Sequence, residues 1–501
     1  MRFPRASGVL LHPTSLPGPH GAGDLGPGAY HFVDWLVAAG QRLWQILPLG
    51  NIGAGHSPYM SPSAFAGNVL LVDLADLHAH GWLSSEDFAP LPAAFDAPRI
   101  DFAAMIPWRL DRLRRAAAAF ARRATTAERA GFDAFCASHA EWLEDFALFM
   151  AIAEAHPGQV WCDWEPGLSH RDPKALADAR ERHAEAIGFH RFCQWRFFDQ
   201  WARLRRYADE RQVRIVGDAP IYVAYHSAEV WARPELFQLD ASRRPSHVAG
   251  VPPDYFSATG QRWGNPLYRW SAHADERYAW WIERVRRAFE LVDVLRIDHF
   301  RGFAHYWEIP AAEPTAVHGR WRAGPGPALF KAIAAALGPL PIIAEDLGLL
   351  TPDVHVLRKR FAFPGMRVLQ FAFAEGARNT HLPHHHEPDT VAYTGTHDND
   401  TTLGWWAAAS EHERSHARAY LGSDGGEIQW DLIRAAMASV ADTAIVPLQD
   451  VLGLGTEHRM NRPGEGEGHW AWRFEWRHVR PEHAERLAAL VRLYGRDAVE
   501  A

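Results

Sequence analysis

Eight short apolar runs recur along the chain, and amphipathic helical segments such as YAWWIERVRRAFE and GPALFKAIAAALG lie between several of them. The runs are continuous in apolar residues rather than alternating, which is typical of strands buried on both faces of a parallel sheet. Eight strand–helix units predict an α/β fold, a closed (β/α)8 TIM barrel, with an open doubly wound sheet as the alternative. The predicted strands are SGVLLHP, RLWQILPLG, VRIVGDAPIYV, LVDVLRIDHF, PIIAEDLG, MRVLQFAF, DTVAYTGTHDND and TAIVPLQD.

Two long stretches interrupt this order. About 165 residues separate the second predicted strand from the third, where a barrel needs only a short loop, a helix and a turn. Helical patterns fill much of this stretch, so we expect an insertion subdomain at about 56–210. A second stretch, about 225–275, is rich in Pro, Gly and aromatic residues, as in ordered loops that cover a site. Residues 1–501 are therefore predicted to form a single barrel domain with large, mainly helical insertions on its C-terminal face.

Composition excludes several classes of protein. A net charge of −8 over 501 residues argues against a nucleic-acid partner, because phosphate binding needs a basic face. The N-terminus has an apolar run of only Val9 to Leu11, too short for a signal peptide, and no window approaches a membrane span. The three cysteines are scattered and form neither a disulfide framework nor a ligand spacing. We expect a cytoplasmic protein with no nucleic-acid or membrane partner.

Charged side chains lie at the ends of four predicted strands. In (β/α)8 barrels the active site is built at the carboxyl ends of the strands, so these side chains are expected to meet. A single Asp after a strand is more often a helix cap or a turn residue, but four such sets on separate strands are a stronger signal. The residues are Asp218, Arg296 with Asp298, Glu345, and His397 with Asp398.

Two of these carboxylates suit a reaction that needs one ionised and one protonated acid. Arg296 and Asp298 are two residues apart, so on a strand both side chains point the same way. The guanidinium is expected to lower the pKa of Asp298, as a nucleophile requires. Glu345 follows the apolar PIIA, where desolvation would raise its pKa toward that of a proton donor. Such a pair carries out glycoside chemistry, with retention if the carboxyl groups are about 5–5.5 Å apart.

Long motifs along the chain resemble the 4-α-glucanotransferases known as amylomaltases or disproportionating enzymes, which are relatives of the α-amylase clan. The resemblance runs from residue 7 to about residue 475. It rests on HSPYMSPSAFAGN, GDAPIYVA, VAGVPPDYFSATGQRWGNPLY, LRIDHFRGF, IIAEDLG, FPGMRVLQFAF, YTGTHDNDT and PLQDVLGLGTEHRMNRPG.

The resemblance implies a role for each of three carboxylates. Asp298 would be the nucleophile, Glu345 the general acid/base, and Asp398 the third carboxylate, which fixes hydroxyls of the distorted sugar. The segment VPPDYFSATG would form a flexible loop over the acceptor side. The residues expected to bind substrate are Tyr59, Asp218, Tyr255, Phe256, Gln261, Trp263, Arg296, His299, Phe371, His397 and Asn461.

The implied reaction moves α-1,4-glucan segments from a maltooligosaccharide or starch-type donor to a glucose or glucan acceptor through a covalent glycosyl–aspartate. The resemblance implies no metal or organic cofactor, and it leaves open whether the protein is a monomer or a homodimer. An α-1,4-glucan hydrolase shares every catalytic residue and is the serious alternative. A non-catalytic glucan-binding barrel would be expected to lack at least one of the three carboxylates.

Three positions depart from the family pattern. The chain has His226 where the family usually has Asp, Val69 where it has Pro, and Thr456 where it has Ser. None of these positions is one of the three carboxylates. His226 is expected to affect loop charge and glucan preference rather than the chemistry.

Two further motifs suggest other ligands. GAGDLG, from Gly21 to Gly26, fits the dinucleotide pattern G-x-G-x-x-G, but the second predicted strand offers no acid for the ribose, and nearby prolines favour a structural turn. HLPHHHEP, which contains His381 and His384 to His386, has a composition that can bind a metal. We interpret it as a solvated loop between the sixth and seventh units.

Overall fold

The computed structural model describes residues 3–253, 257–348 and 350–497. At its centre lie eight parallel strands, one at each predicted position and each shorter than its apolar run. Every residue of the seventh and eighth strands is buried, as continuous apolar runs predict. The strands are β1 (Ala6–Leu10), β2 (Leu43–Gln45), β3 (Arg214–Ala219), β4 (Val294–Ile297), β5 (Ile342–Ala344), β6 (Gly365–Val368), β7 (Thr390–Tyr393) and β8 (Thr443–Pro447).

The eight strands pair in the order β6-β7-β8-β1-β2-β3-β4-β5, and every ladder between them is parallel. The two end strands also meet. The Ala344 N–H in β5 donates a 2.9 Å hydrogen bond to the carbonyl of Pro364, the residue before β6. The sheet is therefore a nearly closed barrel, which confirms the predicted (β/α)8 fold over the open doubly wound alternative.

Amphipathic helices cover the barrel. The helix Ala279–Leu291, for example, buries Trp280, Trp281 and Val285 and exposes Arg286 to solvent. Within the described ranges, no helix is both long and apolar enough to cross a lipid bilayer. Outside the connection between β2 and β3, the helices are Pro27–Ala38, Ala228–Ala232, Trp270–Asp275, Ala279–Leu291, Pro327–Leu337, Pro352–Arg360, Thr402–Ala408, Glu411–Leu421, Ile428–Ala438, Leu448–Leu452 and Pro481–Leu493.

The connection between β2 and β3 is largely helical. The long helices Phe102–Arg123 and Ala140–Ala155 both pack against Ala184–Asp209, whose last turn leads into β3. This helical character agrees with the sequence pattern, while the boundaries of an insertion subdomain stay a prediction. The helices of the connection are Leu74–Ala79, Phe102–Arg123, Thr126–Ser138, Ala140–Ala155, Pro166–Ser169, Pro173–Arg182 and Ala184–Asp209.

A second sheet, which we call the rim sheet, is antiparallel and has four strands. In spatial order they are Gln261–Pro266, His247–Val251, His305–Pro310 and Arg320–Ala323. The first two come from the stretch expected to be a covering loop, and the last two follow β4. Local pattern did not predict these strands, because half of the sheet comes from a distant part of the chain. Tyr255 and Phe256, predicted to bind substrate, lie outside the described residues.

Candidate active site

Three of the predicted charged residues meet at the carboxyl ends of β3 and β4. Asp218 in β3 and Arg296 in β4 are register partners, so their side chains lie side by side. Arg296 Nη1 donates to Oδ1 and Oδ2 of Asp218 at 2.8 and 2.6 Å, and Arg296 Nη2 donates to Oδ1 of Asp298 at 3.0 Å. One buried guanidinium therefore holds two carboxylates in fixed positions.

The electrostatics of this group differ from the expectation in one respect. Desolvation raises the pKa of Asp298 to about 6, although the Arg296 charge opposes the rise. The guanidinium does act to lower this pKa, as the sequence analysis predicted, but the expectation of a lowered pKa overall was wrong, because desolvation and the negative charges of Asp218 and Asp398 outweigh Arg296. Asp298 is still mainly ionised at neutral pH. Its side chain is 30% exposed, so a substrate can reach it.

Glu345 follows β5, and two backbone donors orient its carboxyl group. Its Oε2 accepts a 2.8 Å hydrogen bond from the His299 N–H, and its Oε1 accepts one of 2.8 Å from the Leu347 N–H. Desolvation and the nearby charge of Asp298 raise the pKa of Glu345 to about 8. The side chain therefore keeps its proton at neutral pH, as a proton donor must.

Tyr59 connects the end of β3 to the end of β7. Its hydroxyl donates to Oδ2 of Asp218 at 2.7 Å and lies 2.8 Å from Nε2 of His397, on which its ring stacks at 5.3 Å. Because the Tyr59 hydroxyl donates its hydrogen bond to Asp218, its oxygen serves as the acceptor for the N–H at Nε2 of His397. Burial and the charge of Asp218 raise the pKa of Tyr59 well above its usual value, so it stays a neutral donor. The Trp470 ring packs against the Tyr59 ring, with 5.6 Å between the ring centroids.

Asp398, the third predicted carboxylate, is hydrogen-bonded by a residue of the segment that follows β8. Asn461 Nδ2 donates a 2.6 Å hydrogen bond to its Oδ1, and Nε2 of His397 lies 3.4 Å from the same oxygen. The Asp398 side chain is 41% exposed, so it opens toward the space above the barrel.

Gln261, Trp263 and His299 form a second group beside Glu345. Trp263 Nε1 donates to Oε1 of Gln261 at 3.1 Å, and the Trp263 ring meets the His299 ring edge-on at 4.9 Å. His299 has left-handed backbone angles, and its buried Nε2 has no hydrogen-bond partner among the described residues. Phe371 lies just past β6, where its ring contacts His381. Its place in substrate binding stays a prediction.

Comparison with known proteins identifies the family. A family model described as 4-alpha-glucanotransferase matches residues 11–478. The chain belongs to the 4-alpha-glucanotransferase family. Similar proteins include 4-alpha-glucanotransferases of Thermus thermophilus, 51% identical over 98% of this chain and 99% of that sequence, and of Synechocystis sp., 47% identical over 98% of each. The solved amylomaltase from Streptococcus agalactiae in complex with acarbose matches with a TM-score of 0.95 at 38% identity, covering 98% of this chain and 99% of that one.

The three departures from the 4-alpha-glucanotransferase pattern make specific contacts. Thr456 Oγ1 donates to Oδ2 of Asp400 at 2.7 Å, a bond that the Ser hydroxyl of the family could also make. The Val69 N–H donates to Oδ1 of Asn51 at 3.1 Å, which Pro at this position could not do. His226 accepts from the Trp161 N–H at 3.1 Å, in the helical connection. Only Thr456 therefore lies in the segment that holds Asp398.

One residue of this 4-alpha-glucanotransferase site was missed by the sequence analysis. Arg459 Nη2 donates to the backbone carbonyl of Asp398 at 2.5 Å, and its Nε donates to the carbonyl of Asn461 at 2.6 Å. Its Nη1 lies 4.0 Å from Oδ2 of Asp400. Arg459 stands in the RMN motif next to a predicted residue, but only its contacts reveal that it ties two segments together.

The two motifs set aside earlier have structural partners. In GAGDLG, Oδ1 of Asp24 accepts from the Gly26 N–H at 3.1 Å and the carboxylate lies 3.4 Å from Arg109, as in a rigid turn. In the His-rich loop, His381 Nδ1 accepts from the Val368 N–H at 3.1 Å, and His386 Nε2 lies 3.0 Å from the His381 carbonyl. No cluster of three or more His, Cys, Asp or Glu side chains in the described part of the chain is arranged to hold a metal ion.

Proposed function

We propose that this 4-alpha-glucanotransferase moves α-1,4-glucan segments between maltooligosaccharides or starch-type glucans, with glucose as a further acceptor, through a covalent intermediate on Asp298. The observation that carries the mechanism is the difference between two neighbouring acids. Asp298 lies 3.0 Å from a buried guanidinium, whereas Glu345 lies in surroundings that favour its protonated form. An ionised nucleophile and a protonated acid are what a retaining glycoside transfer needs.

In the first step, an Asp298 carboxylate oxygen forms a bond to the anomeric carbon. The bond from that carbon to the glycosidic oxygen breaks, and its electron pair leaves with the oxygen, which takes the proton of Glu345. In the second step, ionised Glu345 removes the proton of an acceptor 4-hydroxyl, and the acceptor oxygen displaces Asp298. Each displacement inverts the configuration at the anomeric carbon, so the two steps together retain it.

Asp398, His397 and Tyr59 are proposed to hold the sugar that is being transferred. Asp398 and His397 lie next to each other at the end of β7. The Tyr59 ring stacks on the His397 ring and keeps it oriented. Hydrogen bonds to sugar hydroxyls that tighten as the ring distorts lower the barrier rather than only binding the substrate. We also propose that the stretches 56–210 and 225–275, which carry Tyr59, Gln261 and Trp263, form the walls of the substrate cleft.

Transfer must compete with hydrolysis of the intermediate, because water is far more concentrated than any sugar. Positioning can supply an effective molarity of about 10⁵ M or more in favourable cases, so a well-held acceptor wins. The aromatic surroundings of Glu345, with Trp263 against His299, suit the apolar faces of a sugar.

Incubation with pure maltotriose tests the proposal. We expect glucose together with a ladder of longer α-1,4-glucans, while total reducing ends stay nearly constant, because each bond broken is replaced by one formed. The Asp298→Asn variant under the same conditions is the control. Reducing ends that rise in step with the loss of maltotriose, without longer products, would instead identify an α-1,4-glucan hydrolase.

A further inference from the structure

A short loop connects β7 to the helix Thr402–Ala408 and carries two side chains of the active site. We call residues 394–402 the site loop, because they include His397 and Asp398. Loops are more mobile than the elements they connect unless specific contacts fix them. The position of Asp398 therefore depends on what holds the two ends of the site loop.

One buried carboxylate bonds both ends of the site loop. Asp450 lies in the helix Leu448–Leu452, directly after β8, and is 1% exposed. Its Oδ2 accepts a 2.6 Å hydrogen bond from Oγ1 of Thr394, the first residue of the loop. Thr402, the last residue, donates from its backbone N–H to Oδ1 at 2.7 Å and from its Oγ1 to Oδ2 at 2.8 Å. Asp450 therefore sets the separation between the two ends.

Water does not compete for these contacts. Thr394 and Thr402 are both fully buried, as is the carboxylate that they bond. A polar group that is removed from water without a partner is costly, so the folded protein keeps these hydrogen bonds formed. The three contacts of Asp450 are therefore a constant part of the site.

Gln370, just past β6, holds the site loop from the other side. Its backbone N–H donates to the Thr394 carbonyl at 3.2 Å, and its Nε2 donates to the Asp400 carbonyl at 2.9 Å. Gly395 packs so closely that a Cβ at this position would lie 2.7 Å from Nε2 of Gln370. The loop is thus bonded by residues that follow both strands next to β7 in the barrel. Loss of the Asp450 contacts would let it shift relative to Gln370.

We propose that Asp450 is a positioning residue for the transfer reaction, which sets where Asp398 and His397 meet the transferred sugar by fixing both ends of the site loop. The inference rests on the proposed function and adds to it a residue that is itself too deeply buried to touch the substrate. Hydrogen bonds to a sugar that tighten as its ring distorts act mainly in the transition state. Their misalignment should therefore lower kcat and leave KM nearly unchanged.

Two substitutions at position 450 test the proposal. Asp450→Ala removes all three contacts, and we expect kcat for the disproportionation of maltotriose to fall about 10- to 100-fold with KM within about twofold. Asp450→Asn should restore most of the rate. Its Oδ1 can accept from the Thr402 N–H, and its Nδ2 can donate to the two threonine hydroxyls, which can also act as acceptors. Thermal unfolding followed by circular dichroism fixes the temperature below which each variant is fully folded and is assayed.

Asp293→Ala is the matched control. Asp293 precedes β4, and its Oδ2 accepts a 2.7 Å hydrogen bond from the Ile215 N–H in β3. This carboxylate also bonds a neighbouring segment of the barrel, but it does so at the amino ends of the strands, where contacts serve stability rather than catalysis. The substitution should lower the melting temperature and leave kcat unchanged.

A double-mutant cycle separates positioning from a general loss of stability. Maltosyl fluoride is the donor, because its reactive leaving group keeps low rates measurable. In an Asp398→Asn background, Asp450→Ala should lower kcat by a clearly smaller factor than in the wild type, since one of the side chains that it positions is already disabled. If Asp450→Ala does not fold, Thr394→Val removes one of the three bonds and should show a smaller fall in kcat with the same dependence on Asp398.

The outcomes distinguish this proposal from the proposed function. Absence of transfer to any acceptor by the wild type would overturn the proposed function. If the wild type transfers, an unchanged kcat in Asp450→Ala, or the same loss of kcat with Asp398 and with Asn at position 398, would overturn the positioning role alone.

Discussion

Asn461 Nδ2 donates a 2.6 Å hydrogen bond to Oδ1 of Asp398, although the two residues are 63 positions apart in the chain. Arg459 reinforces this contact, because its guanidinium bonds the backbone carbonyls of both partners. The segment after β8 therefore acts as a clamp that sets the position of a carboxylate at the end of β7.

Breaking this clamp should slow the reaction without changing its chemistry. Arg459→Gln cannot keep both carbonyl contacts, so we expect kcat to fall about 10- to 100-fold, the range that a small misplacement at a catalytic centre causes. The pH profile should keep its shape, because Asp298 and Glu345 are untouched. Thr456→Ser, which restores the usual family residue and keeps its hydroxyl, is the control. Full activity of Arg459→Gln in steady-state assays would exclude a positioning role.

The nucleophile can be tested by removing its charge alone. Asp298→Asn should lower kcat by roughly 10³-fold or more, since an amide cannot form the glycosyl ester, while calorimetry should still detect oligosaccharide binding. Asp353→Asn changes an exposed carboxylate that contacts His305, and it should retain activity. Activity of Asp298→Asn within tenfold of the wild type would refute the assignment.

The proton donor should be dispensable for a leaving group that needs no proton. Glu345→Gln is expected to be slow on maltooligosaccharides but much less impaired in forming the intermediate from a glycosyl fluoride. The intermediate should then accumulate, and mass spectrometry should find the sugar on the peptide that contains Asp298. A label on any other carboxylate would show that the roles are wrongly assigned.

The pH dependence follows from the two shifted acids. Asp298 acts ionised and has a pKa of about 6, so kcat/KM should rise as pH increases through that value. Glu345 acts protonated and has a pKa of about 8, so kcat/KM should fall as pH increases further. In Arg296→Lys, which loses the paired contacts to both carboxylates, the acidic limb should move to higher pH. A flat profile between about pH 5 and 9 would contradict both assignments.

Ionisation of Glu345 should lower the stability of the folded protein. Its pKa in the folded protein is raised above the unfolded value, so the folded state favours the protonated form, and the stability due to it is lost as pH rises toward about 8. Glu345→Gln, which cannot ionise, should therefore raise the melting temperature by a few degrees at about pH 9 and have little effect near pH 4. Equal effects at both pH values in calorimetric scans would argue against the raised pKa.

Local sequence pattern was sufficient for the barrel and for placing charged side chains at the ends of its strands. Strands such as β7 are recognised because their burial on both faces demands continuous apolar residues, and this demand is local. The position of Asp298 or Glu345 directly after such a strand is equally local, and parallel strands bring their carboxyl ends to one edge of a sheet.

Only the tertiary structure decided which distant segments are in contact and how each side chain is solvated. Tyr59 meets His397 across 338 positions, and Arg459 joins Asp398 to Asn461, because barrel closure brings these loops together. The direction of the pKa shift of Asp298 depends on the balance between desolvation and charge, and that balance exists only once its neighbours are in place.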